Sequence, residues 1–326
     1  MEISQQCINY FNRRSLLKGA AGLAATAGLG MVGGASAAAA DAKRVAKKGN
    51  INHSIVHWCF SEYWNVEETA KIAKAMGCKS IELVPPEDWP TLKKLGLTCA
   101  ISPSHLFVQG MNNPKYQDAC IEMIKERIDQ AADAGVPTVI TFTGYAADTG
   151  KWADGGIPDL ASIDLDKAKK IDPEEGIKNC VAGFKKVIGH AEKKKVTLSL
   201  EMLNTREDTH PMKGHPGYQG DHVDYCMEII NQVGSSRFGL LFDLYHVQIM
   251  DGDIIRRIRQ LGEAINHVHT AGNPGRGELD NTQEINFTPC MKALTEIGYK
   301  GYVGHEFIPT RDPLAGLTEA VITCDV

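Results

Sequence analysis

Gly239-Leu-Leu-Phe-Asp-Leu-Tyr-His-Val247 is apolar from Leu240 to Phe242, then carries Asp243, with His246 three positions further on. A short apolar run that ends in a carboxylate reads as a buried parallel strand presenting a polar group at its C-terminal tip. Three other runs share the design. Val196-Thr-Leu-Ser-Leu-Glu201 ends in a carboxylate, Ile265-Asn-His-Val-His269 in an imidazole, and Tyr302-Val-Gly-His-Glu306 in a second glutamate. Each is separated from the next by a helix-length segment, which predicts four side chains converging on one point. Two Glu, one Asp and one His make a mixed oxygen and nitrogen set suited to a divalent metal ion.

Upstream of this half the same alternation holds. Strands are expected at Ile51–Trp58, Ser80–Val84, Leu97–Ser102 and Val136–Phe142, and amphipathic helices at 66–76 and 115–134, stopped by Gly77 and Gly135. Further helices are expected at 173–192, opened by Pro173, and at 221–233, 254–261 and 288–297, with a weaker one after Asp312. The segment 41–50 reads as a short solvated lead-in, and Gly144–Asp172 as a long functional connection. Eight strands alternating with helices predict an α/β fold, a single (β/α)8 TIM barrel over residues 41–326. No Gly-rich phosphate loop follows the first strand, which counts against a doubly wound nucleotide-binding fold. In a barrel the strand C-termini share one rim, which brings Glu201, Asp243, His269 and Glu306 together.

Residues 1–40 read as a separate segment. Asn12-Arg-Arg-Ser-Leu-Leu-Lys18 precedes an apolar, Gly/Ala-rich run to Val32, and Ala35-Ser-Ala37 and Ala38-Ala-Ala40 both suit a signal peptidase. The order is that of a twin-arginine export signal, implying passage through the twin-arginine machinery and a periplasmic or exported protein. The alternative is an uncleaved anchor or a chance arginine pair, but the run is short and Gly-rich for a stable membrane span. No stable membrane insertion is expected after cleavage. The net charge of −5, with no Lys/Arg stripe, argues against a nucleic-acid partner. Nine Cys show no C-x-x-C pair and no disulfide framework, so mostly free, buried thiols are expected. The sequence leaves the oligomeric state open.

The strand ends, together with Asp243-Leu-Tyr-His246, His267-Val-His269 and Asn273-Pro-Gly-Arg276-Gly-Glu-Leu, resemble the xylose isomerase-like barrel superfamily. Within it the chain is most similar to hydroxypyruvate isomerases and ketose 3-epimerases. The resemblance covers the mature chain and is densest from Val196 onward. It implies that Glu201, Asp243, His269 and Glu306 bind one Mn2+, Mg2+ or similar ion. It also implies that Glu201 and Glu306 form the proton-transfer pair and that His246 and Arg276 touch substrate oxygens. Glu207 and His210 lie in a loop that often shapes the pocket in this family. His269 leans toward the epimerases, where many hydroxypyruvate isomerases carry Gln. Pro274-Gly-Arg276 and Glu284-Ile-Asn-Phe287 lean toward hydroxypyruvate isomerase.

Each assignment has a plainer counterpart. Glu201 and Glu306 could be salt-bridge partners, Asp243 a loop cap, His246 a structural histidine, and Arg276 a loop ion pair. Strand alternation is expected to turn only one of His267 and His269 inward, and His269 is chosen. Trp58, His57, Glu82 and His105 read as core or supporting groups before pocket walls, and Phe60, Trp64, Phe107 and Tyr145 as packing before substrate enclosure. The expected activity is isomerisation or epimerisation of a small hydroxy-keto acid or sugar through an enediolate. The competing readings are a metal-dependent phosphodiesterase of apurinic-endonuclease type, which lacks its Asp-x-His pair here, and an exported sugar-binding or lyase-like relative.

Overall fold

The computed structural model describes residues 34–158, 163–209 and 212–326. Its sheet is parallel throughout, in the order β3-β2-β1-β9-β8-β7-β6-β5-β4. The strands are β1 Asn52–Val56, β2 Ser80–Glu82, β3 Thr98–Cys99, β4 Ile101–Ser102, β5 Thr138–Thr141, β6 Thr197–Glu201, β7 Phe238–Asp243, β8 Ile265–Thr270 and β9 Tyr302–His305. β3 pairs with β2 and β4 with β5, and only Ala100 separates them. The Ala100 N–H turns to the Ser80 hydroxyl at 2.8 Å instead of a ladder carbonyl, which interrupts the strand without opening the sheet. β3 and β4 are therefore two halves of one strand, and the sheet closes as the eight-stranded barrel.

The helices are α1 Gly34–Asp41, α2 Val66–Met76, α3 Trp89–Lys94, α4 Pro114–Ala134, α5 Pro173–Lys185, α6 Ile188–Lys194, α7 Val223–Val233, α8 Leu244–Met250, α9 Ile254–Leu261, α10 Phe287–Glu296 and α11 Pro313–Cys324. Local chemistry sets their ends. Asn65 and Glu68 form a capping box at α2, and Gly77 closes that helix at φ 89°, a left-handed angle that favours glycine. Asp172 caps α5 by accepting from the Glu174 and Glu175 N–H groups.

Three expectations change. The helix expected over 173–192 is two, broken at Lys186 and Val187, with Phe184, Val187 and Ala191 all fully buried. β7 ends at Asp243 as expected, but a helix that the sequence reading lacks, α8, follows at once, capped by the Asp243 side chain, which accepts from the Tyr245 N–H. The lead-in 41–50 is not merely solvated. Val45 and Ala46 donate to the Met76 carbonyl, and the Lys47 and Lys48 amides donate to Asp325. Ala38, Ala39, Ala42 and Ala46 pack against the core beside α2.

Arg13, Arg14 and the apolar run to Val32 lie outside the described residues. No helix among the described residues is long and apolar enough to cross a membrane. The eight Cys from Cys59 to Cys324 are buried, and none of them is in a disulfide.

Candidate functional site

Glu201 ends β6, Asp243 ends β7, His269 sits one residue from the end of β8, and Glu306 directly follows β9. The β7–β8 register sets Asp243 beside His269. One ligand atom from each of the four side chains lies within 4.8 Å of all the others, and all four residues are buried. His269 Nδ1 is 3.5 Å from Glu201 Oε1 and 2.9 Å from Glu306 Oε2. Glu201 Oε1, Asp243 Oδ2 and His269 Nδ1 all lack a hydrogen-bond partner. Buried polar atoms are seldom left so, and three that face one another are the donors a divalent cation satisfies. The set fits such an ion.

The electrostatics divide the two glutamates. Burial pushes the Glu201 carboxyl up to about 7; the His269 ring opposes the rise and the Glu306 charge adds to it. Asp243 rises to about 6, through burial and then the Glu306 charge. Burial would raise Glu306 too, but the Arg276 guanidinium and His269 hold it well below the usual carboxylate range. One glutamate thus tends to keep a proton near neutral pH while the other stays ionised.

Arg276 reaches this point from the tight loop after β8, where Gly272 and Gly277 form an antiparallel bridge. Its φ of 55° is unusual for a residue with a side chain. The guanidinium donates to Glu306 Oε2 and to the Met212 carbonyl, and lies over the Trp58 and Tyr245 rings at 5.3 and 5.7 Å. Trp58 Nε1–H donates to Glu306 Oε1 at 2.9 Å. The plainer reading of Arg276, an ion pair, is present, and the side chain also lines the pocket described below.

His246 stands in the first turn of α8. Its Nδ1 accepts from the Asn204 N–H at 3.0 Å, so the neutral ring carries its proton on Nε2, 3.5 Å from Asp243 Oδ2. Burial first, and then the Arg276 charge, hold this histidine well below its ordinary pKa. A narrow pocket of about 50 Å³ opens onto Glu201, Glu306 and Arg276. Its other walls are apolar, among them Leu83, Leu106, Phe107, Ile140, Phe142 and Leu203, with Trp58 and His215.

Trp58 and Phe107 thus face the pocket, whereas Phe60 stacks on Trp64 at 5.4 Å. Glu207 is occupied locally, accepting from the Thr209 N–H at 2.8 Å; His210 lies outside the described residues. The expectation that only one of His267 and His269 turns inward is wrong. Residues two apart share a strand face, and both rings engage Glu82 Oε1, at 2.9 and 2.8 Å. Burial would raise Glu82, but His267 and His269 hold it at about 2. Asn204 and His215 also stand at the site, and no motif in the sequence marks them. Glu82 had a visible signal, because Ser80-Ile-Glu82 is another short strand ending in a carboxylate.

A family model described as xylose isomerase-like TIM barrel matches residues 70–322. The chain is 33% identical over 102 residues to the hydroxypyruvate isomerase of Escherichia coli (strain K12), covering 31% of this chain and 39% of that protein. It is 33% identical over 122 residues to the 2-oxo-tetronate isomerase of Cupriavidus necator, covering 37% and 44%. The matches thus span less than half the length of these curated relatives. Among solved structures, an AP endonuclease, family 2, from Brucella melitensis superposes with a TM-score of 0.64 at 21% identity, covering 82% of this chain and 94% of that one. An L-ribulose 3-epimerase superposes at 0.61 and 19%, covering 83% and 92%. Likenesses at that identity are of fold alone.

Proposed function

The chain belongs to the xylose isomerase-like TIM barrel family, and from that premise we propose that it is a metal-dependent isomerase or epimerase of a small hydroxy-keto compound, of hydroxypyruvate or ketose type. The observation that carries the reading is the set of three buried, unpartnered ligand atoms on Glu201, Asp243 and His269, closed by Glu306. These four residues would hold one divalent ion such as Mn2+ or Mg2+. When bound, such an ion supplies Lewis-acid stabilisation of negative charge on the substrate's oxygens.

The rest of the chemistry falls to the side chains. Isomerisation removes a proton from the carbon beside a carbonyl and returns one to the neighbouring carbon; epimerisation returns it to the opposite face. Either route passes through an enediolate. Glu201 and Glu306 stand on β6 and just past β9, flanking β7 and β8. The opposite directions of their pKa shifts suit an acid–base pair. The His246 Nε2–H and the Arg276 guanidinium would meet substrate oxygens, and the apolar walls would exclude water. The hydroxypyruvate and 2-oxo-tetronate isomerases among the relatives support a small keto acid as substrate.

A phosphodiesterase of apurinic-endonuclease type would need several clustered metals. Among the described residues the other ligand-like cluster is Glu82, His267 and His269. Its ring Nε2 atoms are both spent on Glu82, and the net charge of −5 disfavours DNA. The deciding experiment incubates metal-loaded protein with hydroxypyruvate and a panel of free ketoses in deuterated water. Proton NMR should show exchange at the carbon beside the carbonyl and a new product for one of them. No exchange with any would overturn the proposal.

A further inference from the structure

We propose that Glu82 is a positioning residue for this centre: by accepting the Nε2–H of His269, with His267 braced on the same oxygen, it turns the His269 ring so that Nδ1 faces Glu201 and Glu306. The inference rests on the metal reading above for its consequence, though not for its geometry.

Glu82 and His269 are not neighbours in the barrel wall. β1 and β9 lie between β2 and β8, so the Glu82 side chain reaches His269 through the barrel interior. The positions along that route are small. Ser54 of β1 registers with both Ser80 and Gly304, and Gly304 registers with His269. A Cβ on Gly304 would land on Glu82 Oε1 and stand 2.9 Å from His269 Cδ2. The contact exists because residue 304 has no side chain. The His267 and His269 rings are nearly perpendicular, at 88°, so each brings its N–H to the shared oxygen from its own direction.

An imidazole rotated by half a turn presents carbon where a ligand nitrogen is needed. Anchoring Nε2–H on a carboxylate excludes that orientation and assigns the lone pair to Nδ1. Such partners of ligating histidines typically contribute about 10–100-fold in metal affinity.

The test compares wild type, Glu82→Leu, Glu82→Gln and Gly304→Ala by two measurements. Side-chain 15N–1H NMR of the metal-free protein follows the Nε2–H protons of His267 and His269. Equilibrium titration with Mn2+ gives affinity. Wild type should show both protons, shifted downfield and protected from water. Glu82→Leu should lose that protection and bind Mn2+ about 10–100-fold more weakly. Glu82→Gln keeps an acceptor oxygen and should restore the protected protons and most of the affinity. Gly304→Ala should reproduce the loss although it removes no polar group, and it decides the matter if the Leu variant does not fold. Unprotected Nε2–H protons in wild type, or wild-type Mn2+ affinity in folded Glu82→Leu, would overturn the assignment. Protected protons that depend on Glu82, in a wild type that takes up no Mn2+, would sink the metal reading instead and leave the anchored ring standing.

Discussion

Arg276 Nη2 and Glu306 Oε2 meet at 2.6 Å in the pocket wall, with the two residues only 2% and 4% exposed. A buried pair of this kind contributes little over a well-packed apolar substitute, but breaking it strands a charge. Arg276→Met should therefore lower unfolding free energy by about 3–5 kcal/mol in urea titrations. Adding Glu306→Gln to the same chain should restore part of that loss. Additive effects in the double variant would show that the contact is not energetically coupled.

Asp243→Ala and His269→Ala each delete a donor from the four-residue cluster. Both should weaken Mn2+ binding and abolish activity together. Full metal occupancy in either variant, measured by equilibrium titration, would remove that residue from the ligand set.

Glu201→Gln and Glu306→Gln separate ligation from proton transfer. Each loses a negative charge, so metal affinity should fall. At metal concentrations shown to fill the site, turnover should still be depressed about 10²–10⁴-fold, because Gln cannot accept the proton. One variant is expected to exchange the substrate proton into deuterated water without completing the reaction, which identifies the surviving base. Near wild-type turnover in both would mean that the glutamates act as ligands alone.

His105 is fully buried; its Nδ1–H donates to the Leu106 carbonyl at 3.1 Å, and its Nε2 has no partner. Burial pushes its pKa from 6.5 down to about 4. Between those values the unfolded chain binds a proton that the folded chain refuses. Stability should be greatest above pH 6.5 and fall as pH drops toward 4, by on the order of 3 kcal/mol for this group. His105→Phe should flatten that fall, seen by comparing urea midpoints at pH 7 and pH 4.5. An unchanged slope would mean the ring already charges in the folded state.

The paired Arg13-Arg14 and the apolar run behind them support export by the twin-arginine route. Replacing both with Lys should leave precursor in the cytoplasm upon cell fractionation. Undiminished periplasmic protein would withdraw the localisation.

Periodicity and composition alone determined the order of strands and helices, the barrel, and the placing of Glu201, Asp243, His269 and Glu306 at strand ends. Each of those depends on local rules: which residues form a buried strand, where a Gly or Pro stops a helix, and which group follows the last apolar position. Only the tertiary structure decided what crosses the barrel or joins its ends. The Glu82 bridge to His267 and His269 needs closure of the sheet and the missing side chain of Gly304. The Asp325 clasp on Lys47 and Lys48 needs the two ends of the described chain to meet. α8 was hidden because its seven residues, Leu244–Met250, span barely two turns, too short for a helical period to stand out in the sequence. Which oxygen Arg276 would reach was likewise undetermined, since a loop residue's direction is set by what it packs against, here the rings of Trp58 and Tyr245.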